Sequence, residues 1–183
     1  INAAKLMREW RAATAPIELD DFATALGVSP ASLVAVGVAW AAPYSAWAFP
    51  MCDGHGKVVG IRLRNERGKF AVRGSRQGIF LGTCRPGAGS GEQGAGSDEG
   101  QSGKQKVESK NENGDSRSSS LRCGAGSEAR VLYVCEGPTD TAAAVDLGLF
   151  AVGRPNCCCG GAEIQLFARQ HEVRRVVVIS DND

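Results

Sequence analysis

A membrane-length apolar run is missing from this chain of 183 residues. The longest apolar stretch, from Leu33 to Trp47, is interrupted by glycine, proline and serine and lacks the basic flank of a signal peptide. These absences exclude a helical membrane protein, and we expect no membrane partner. The composition favours a soluble protein of the cytoplasm.

Paired cysteines are also missing, because none of the seven cysteines stands in a Cys-x-x-Cys arrangement. Three of them are adjacent at 157–159, and neighbouring side chains cannot easily turn toward one tetrahedral ion. A zinc ribbon is therefore not expected. An odd number of thiols in a chain without a signal peptide indicates a reducing compartment, which again predicts the cytoplasm.

Large apolar side chains are scarce between residues 86 and 129, where Val107 and Leu121 are the only large aliphatic residues. The segment consists mainly of glycine, serine, glutamate, lysine, asparagine and glutamine. It cannot bury enough surface to offset the entropy that would be lost on ordering. We therefore predict a disordered low-complexity linker over residues 86–129.

Positive charge is concentrated before this linker, although the net charge of the whole chain is only +1. Residues 1–86 carry 11 basic and 6 acidic side chains. Seven cations within residues 57–76 are opposed there only by Glu66, and they are Lys57, Arg62, Arg64, Arg67, Lys69, Arg73 and Arg76. This density predicts a nucleic-acid-binding surface, with an ordinary solvated hairpin as the alternative.

Residues 1–43 have the spacing of short helices. One helix is predicted over residues 3–12 from its apolar stripe. An aspartate at position 20 or 21 is expected to cap a second helix, which ends at Gly27. A third helix is predicted to follow Ser29-Pro30, an N-cap residue with proline at the first helical position.

Residues 44–85 change to the alternating pattern of strands. We predict a basic antiparallel meander with three strands at 47–51, 58–64 and 69–72. In the middle strand, alternation directs Arg62 and Arg64 to the face opposite the apolar side chains. Together with the preceding helices, the meander is expected to form a small α+β basic domain.

The residues after the linker alternate between strands and helices. Strands are predicted at 130–135, 149–152 and 174–180, and helices at 139–147 and 162–170. Right-handed crossovers between such strands give a parallel α/β sheet of the Rossmann-like kind.

Acidic side chains follow the first and the third of these strands. Glu136 and Asp140 come after the first strand, and Asp181 and Asp183 come after the third. The carboxyl ends of parallel strands meet at one sheet edge, where ligands gather. Oxygen ligands without histidine or cysteine favour Mg²⁺ or Mn²⁺, so we predict a divalent-metal site that handles phosphates.

This arrangement resembles the Toprim domain of primases, topoisomerases and related nucleases. The resemblance is carried by Glu136-Gly137, by Asp140 four residues after the glutamate, and by Asp181-x-Asp183. The sequence Gly153-Arg154-Pro155-Asn156-Cys157, and the block from Phe49 to Phe80, are similar to phage- and plasmid-type primases. Residues 130–183 would then be a Toprim domain truncated at its C-terminus, because the family continues with a further helix and strand.

The resemblance implies roles for these acids. Glu136 would act in acid/base chemistry or metal binding, Asp140 would support it, and Asp181 and Asp183 would bind Mg²⁺. The implied function is primer synthesis, in which a 3′-hydroxyl attacks a nucleotide on a single-stranded DNA template. A replicative helicase is a candidate partner.

Two other functions remain open at this point. The same acids could serve a nuclease or a topoisomerase-like enzyme that cleaves phosphodiesters, although neither Tyr44 nor Tyr133 is well placed as a catalytic tyrosine. Alternatively, the chain could be a non-catalytic nucleic-acid-binding module of a primase-helicase.

Overall fold

The computed structural model describes residues 1–82, 130–156 and 158–180. The predicted linker over 86–129 lies outside the described residues, as do Asp181 and Asp183. The described residues on both sides of the predicted linker belong to one compact unit.

Helices and strands follow the predicted order closely. The helices are α1 (Ala3–Ala13), α2 (Pro16–Leu26), α3 (Pro30–Val36), α4 (Pro138–Asp146) and α5 (Gly161–Gln170), with a short 3-10 helix at Ala42–Tyr44. The strands are β1 (Ala39–Ala41), β2 (Ala46–Cys52), β3 (Val58–Asn65), β4 (Gly68–Ala71), β5 (Phe80–Leu81), β6 (Val131–Glu136), β7 (Ala151–Arg154) and β8 (Arg175–Val178).

The start of α2 differs from the prediction. The helix begins at Pro16, so the two aspartates at 20 and 21 lie inside it and do not cap it. Proline suits the first helical position, and the Glu18 carboxylate accepts a hydrogen bond from the N–H of Ala15 at 3.2 Å. The predicted end at Gly27 is confirmed, because this residue has a left-handed φ of 68°.

No single helix among the described residues is long and apolar enough to cross a membrane. Helices α2 and α3 are long and apolar enough only when they are taken together, and the pair is bent by 102°.

The first sheet is an antiparallel arrangement in the order β1-β2-β3-β4. It contains the three predicted strands and adds β1, which was predicted to lie in the helical segment. Ile61 and Leu63 on one face of β3 are fully buried beneath Met7 of α1. Arg62 and Arg64 project from the opposite face, as alternation predicted.

The second sheet has the order β5-β7-β6-β8, with β6 parallel to both β7 and β8. The three strands predicted for this sheet are parallel as expected, and β5 adds an antiparallel pairing with β7 that was not predicted. Strand β5 precedes residues 83–129 in the chain, and the bridge between Cys52 and Ile79 links it to the end of β2. The end of the segment 44–85, which was predicted to belong to the meander, therefore forms the edge of the second sheet.

Side chains from before and after residues 83–129 pack in a shared cluster. Phe49 of β2, Phe80 of β5 and Ala142 of α4 are buried together with Leu33 and Val36 of α3. This packing holds the Arg62 face of the first sheet close to the carboxyl end of β6.

We predict that Gly153→Ala destabilises the protein by about 1 to 3 kcal/mol, because the site has no room for a methyl group. A Cβ on this residue of β7 would lie 2.6 Å from the carbonyl oxygen of Gly137 and would also meet the Thr141 hydroxyl. Urea unfolding measures the effect. Gly161→Ala is the matched control, since a Cβ there meets nothing within 4 Å. Equal stability of the two variants would contradict this account of the packing.

Candidate active site

Glu136 is the last residue of β6 and lies at the carboxyl end of that parallel strand. Its neighbour in β7 is Arg154, and the two side chains form an ion pair with 3.1 Å between Arg154 Nη2 and Glu136 Oε1. The carboxylate remains about one third exposed. Arg154 therefore fixes the position of the acid without sealing it from solvent.

The turn after Glu136 brings a second carboxylate to the same edge. Gly137 adopts a φ of 95°, and its N–H donates to the carbonyl oxygen of Arg154 at 3.0 Å. Pro138 then starts α4, which has Asp140 in its first turn. Asp140 Oδ2 lies 3.9 Å from the position that a Cβ on Gly137 would occupy. The positive end of the helix dipole favours an acid at this place.

Cations from the first sheet face this edge. Arg62 Nη2 donates to the Pro155 carbonyl oxygen at 3.3 Å, and Arg64 Nη1 donates to Thr139 Oγ1 at 3.1 Å. Lys69 of β4 is the cross-strand neighbour of Arg64. Arg62 thus contacts the loop after β7, and Arg64 contacts the first turn of α4.

These side chains surround a cavity of about 160 Å³, which we call the Glu136 cavity. Its lining residues are Arg62, Arg64, Lys69, Phe80, Glu136, Gly137, Pro138, Arg154, Pro155 and Asn156. Four cations and one carboxylate line it, so its net charge is positive. The guanidinium groups of Arg62 and Arg64 each carry five N–H donors, more than the one contact described for each of them uses.

The structure separates the seven predicted nucleic-acid-binding residues into two groups. Arg62, Arg64 and Lys69 line the Glu136 cavity. The other four are exposed and do not line it, and they are Lys57, Arg67, Arg73 and Arg76. Lys57 precedes β3, whereas the two cavity arginines lie in the second half of that strand.

The predicted metal ligands are only partly described. Glu136 and Asp140 lie at one strand end, whereas Asp181 and Asp183 fall outside the described residues. Among the residues with described positions, no group of three or more His, Cys, Asp or Glu side chains could hold a metal ion. The donors that are present are oxygens, which suit Mg²⁺ or Mn²⁺.

Arg154 is the ion-pair partner of Glu136, a role that was not predicted from its place in the motif Gly153-Arg154-Pro155-Asn156-Cys157. An available signal was its position at the end of β7, because parallel neighbours of β6 bring their carboxyl ends to the same edge.

The residue before Glu136 is a buried thiol. Burial raises the pKa of Cys135 to about 11, and the negative charge of Asp140 adds to the increase. The thiol is therefore protonated at neutral pH, which makes it a poor nucleophile.

The described residues form a mixed α/β fold of the class found in the catalytic cores of DNA primases. The chain is similar to a structure described as the DnaG catalytic core, with a TM-score of 0.57, 14% identity and 99% of this chain covered. A DnaG primase catalytic domain bound to single-stranded DNA gives a TM-score of 0.55 at 13% identity, with all of this chain covered. The primase catalytic core of E. coli gives 0.52 at 14% identity and covers 92% of this chain.

The chain matches 62%, 62% and 57% of the lengths of these three structures, respectively. No protein-family model matches the chain, and no curated protein matches it either. At these identities the likeness establishes the fold alone.

We expect the free energy of unfolding to fall between pH 9 and 11 more steeply in the wild type than in Cys135→Ala. The pKa of this thiol rises from 9.0 to about 11 on folding, so above pH 9 the unfolded state loses the proton while the folded state retains it. The difference in the free energy of unfolding between the wild type and Cys135→Ala should change by about 1 to 3 kcal/mol between pH 9 and 11. Urea unfolding at several pH values measures it, and parallel stability curves would contradict the burial of the thiol.

Proposed function

We propose that this chain acts as a DNA primase-like nucleotidyltransferase of the Toprim type, which synthesises a primer on a single-stranded DNA template. The observation that carries the proposal is a carboxylate, Glu136, at a parallel strand end inside a cavity with four cations. The fold of primase catalytic cores supports the same function. One of those structures is described as bound to single-stranded DNA, which supports this class of template.

The charges of the Glu136 cavity suit a nucleotide. Arg62, Arg64 and Lys69 offer donors from the first sheet, and Arg154 offers a guanidinium from the second. Phosphate oxygens of a nucleoside triphosphate are the anions that such a set would bind, since guanidinium groups match phosphate geometry. Asn156 and Pro155 at the rim would limit where the rest of the nucleotide lies.

Glu136 is the candidate acid/base residue, with Asp140 in support. Its ion pair with Arg154 holds the carboxylate in one position, and its partial exposure leaves it accessible to a substrate. In this proposal the carboxylate accepts the proton of the attacking 3′-hydroxyl, or supplies an oxygen ligand to a metal ion. The cations around it would stabilise the phosphate charge that develops during attack.

The carboxylates proposed for this edge are oxygen donors of the kind that Mg²⁺ and Mn²⁺ prefer. Glu136 is proposed to hold Mg²⁺ or Mn²⁺ together with Asp181 and Asp183, and Asp140 adds negative charge next to Gly137. Mg²⁺ commonly takes one or two carboxylates and completes its shell with water and phosphate oxygens. When bound, the ion would polarise the phosphate and lower the pKa of the attacking hydroxyl.

The exposed cations extend the site into a track for the template. Lys57, Arg67, Arg73 and Arg76 lie outside the Glu136 cavity, and we propose that they contact the phosphate backbone of single-stranded DNA. A replicative helicase is proposed as a partner that would deliver this strand.

We predict that Glu136→Gln lowers primer synthesis by about 100-fold or more, because the amide cannot accept a proton or bind a metal ion as the carboxylate does. The measurement is incorporation of labelled ribonucleotides on a single-stranded template with Mg²⁺. Glu9→Gln, on the exposed surface of α1, is the matched control and should retain activity.

Circular dichroism should show that both variants remain folded. Metal-dependent nicking of DNA without nucleotides, lost in Glu136→Gln, would replace primer synthesis by the nuclease function. Wild-type binding of single strands with neither activity would reduce the chain to a binding module.

We further predict that Arg62→Ala combined with Arg64→Ala weakens binding of single-stranded DNA and flattens its salt dependence. Each lost phosphate contact should reduce the slope of log affinity against log salt by about 0.7. Fluorescence anisotropy of a labelled oligonucleotide at several salt concentrations measures both quantities. Arg8→Ala on α1 is the control, since this exposed arginine lies away from the Glu136 cavity. An unchanged slope would show that Arg62 and Arg64 do not contact the phosphates of single-stranded DNA.

A further inference from the structure

A second and larger cavity lies beside the first sheet. Its volume is about 780 Å³, which is within the range of small-molecule binding sites. It is lined by Phe22, Ala25, Trp40, Pro43, Tyr44, Ser45, Trp47, Arg64, Asn65, Glu66 and Arg67. We call it the aromatic cavity, because four of its lining residues are aromatic.

The aromatic rings are held in fixed positions by one another. Trp47 stacks on Phe22, with ring centroids 4.3 Å apart and ring planes 7° from parallel. Trp40 meets Trp47 edge to face at 5.2 Å and 65°. Tyr44 is 41% exposed and meets Trp10 edge to face at 6.0 Å. Edge-to-face contacts cover fewer ring faces than stacked ones, so ring surface remains available to a ligand.

The turn between β3 and β4 supplies a polar side to this cavity. Asn65 Oδ1 accepts a hydrogen bond from the N–H of Arg67 at 2.9 Å, which fixes the shape of the turn. Arg64 and Arg67 contribute two positive charges here, and Glu66 contributes the opposing one. The cavity thus combines aromatic surface with a cationic margin.

We propose that the aromatic cavity is a stacking site for an unpaired base of single-stranded DNA. Every base offers a π-face to an aromatic ring, and the arginines would contact the flanking phosphates. The location supports this occupant over a peptide, because Arg64 lines both the aromatic cavity and the Glu136 cavity. This proposal rests on the proposed function and assigns a position to the template strand next to the site of synthesis.

The test compares two strands of equal length, one of deoxythymidine and one with abasic sugars. Both carry the same phosphates, but only the first has bases to stack. Affinities of the 183-residue chain are measured by fluorescence anisotropy with a chelator and without nucleotides, so that no chemistry contributes. We expect the wild type to bind the deoxythymidine strand about 5- to 150-fold more tightly for each stacked base.

Tyr44→Ala should remove most of this preference and leave affinity for the abasic strand nearly unchanged. Phe70→Ala is the matched control: Phe70 is 37% exposed, pairs with Leu63 and lies on the opposite face of the first sheet. It should bind both strands as the wild type does. An unchanged preference in Tyr44→Ala, or equal weakening on both strands, would overturn the proposal.

A second measurement avoids dependence on the folding of a variant. Photocrosslinking of the wild type to a strand containing 5-iododeoxyuridine should modify Tyr44, Trp40 or Trp47, as identified by mass spectrometry. Crosslinks confined to other residues would also overturn the proposal. Base-dependent binding without primer synthesis would refute the proposed function and leave the stacking site in place, so the two failures are distinguishable.

Discussion

The candidate site depends on two contacts, that of Arg62 with the loop after β7 and that of Arg64 with the first turn of α4. Each guanidinium loses part of its hydration in the Glu136 cavity, and the oxygens of Pro155 and Thr139 replace some of the lost hydrogen bonds. The shared cluster around Phe80 keeps the sheets close enough for these contacts. Without that packing, the cations and Glu136 would lie on separate surfaces, and neither could act on a substrate held by the other.

The main electrostatic property of this chain is a local excess of positive charge around Glu136. A net charge of +1 suggests nothing about nucleic acid, yet four cations and one acid line the Glu136 cavity. The ion pair between Arg154 and Glu136 neutralises part of this charge, while the remaining cations keep the cavity positive. Anionic ligands are therefore attracted to the Glu136 cavity, where a carboxylate is also available. Cations and a carboxylate on remote surfaces would not act on the same ligand.

Local patterns predicted most elements because apolar periodicity and capping residues act over a few positions. The alternation in β3 correctly predicted which face carries Arg62 and Arg64, and Ser29 caps α3 as expected. Strand β1 was missed because three residues within an apolar stretch give too little alternation. The pairing of β5 with β7 and the role of Arg154 were missed because both depend on contacts between residues distant in sequence. The seven cations were predicted as one surface, but they are distributed over β3, β4 and the flanking turns, so that three line the Glu136 cavity and four do not.

The antiparallel pairing of β5 with β7 has a consequence for the order of folding during synthesis. Phe80 leaves the ribosome more than 70 residues before its partner Gly153, so β5 cannot pair until β7 has been made. The pairs between β2, β3 and β4 join residues much closer in sequence, and local contacts of this kind form sooner. The cationic face is thus able to form before β7 is made, whereas the Glu136 cavity also needs Arg154 of β7.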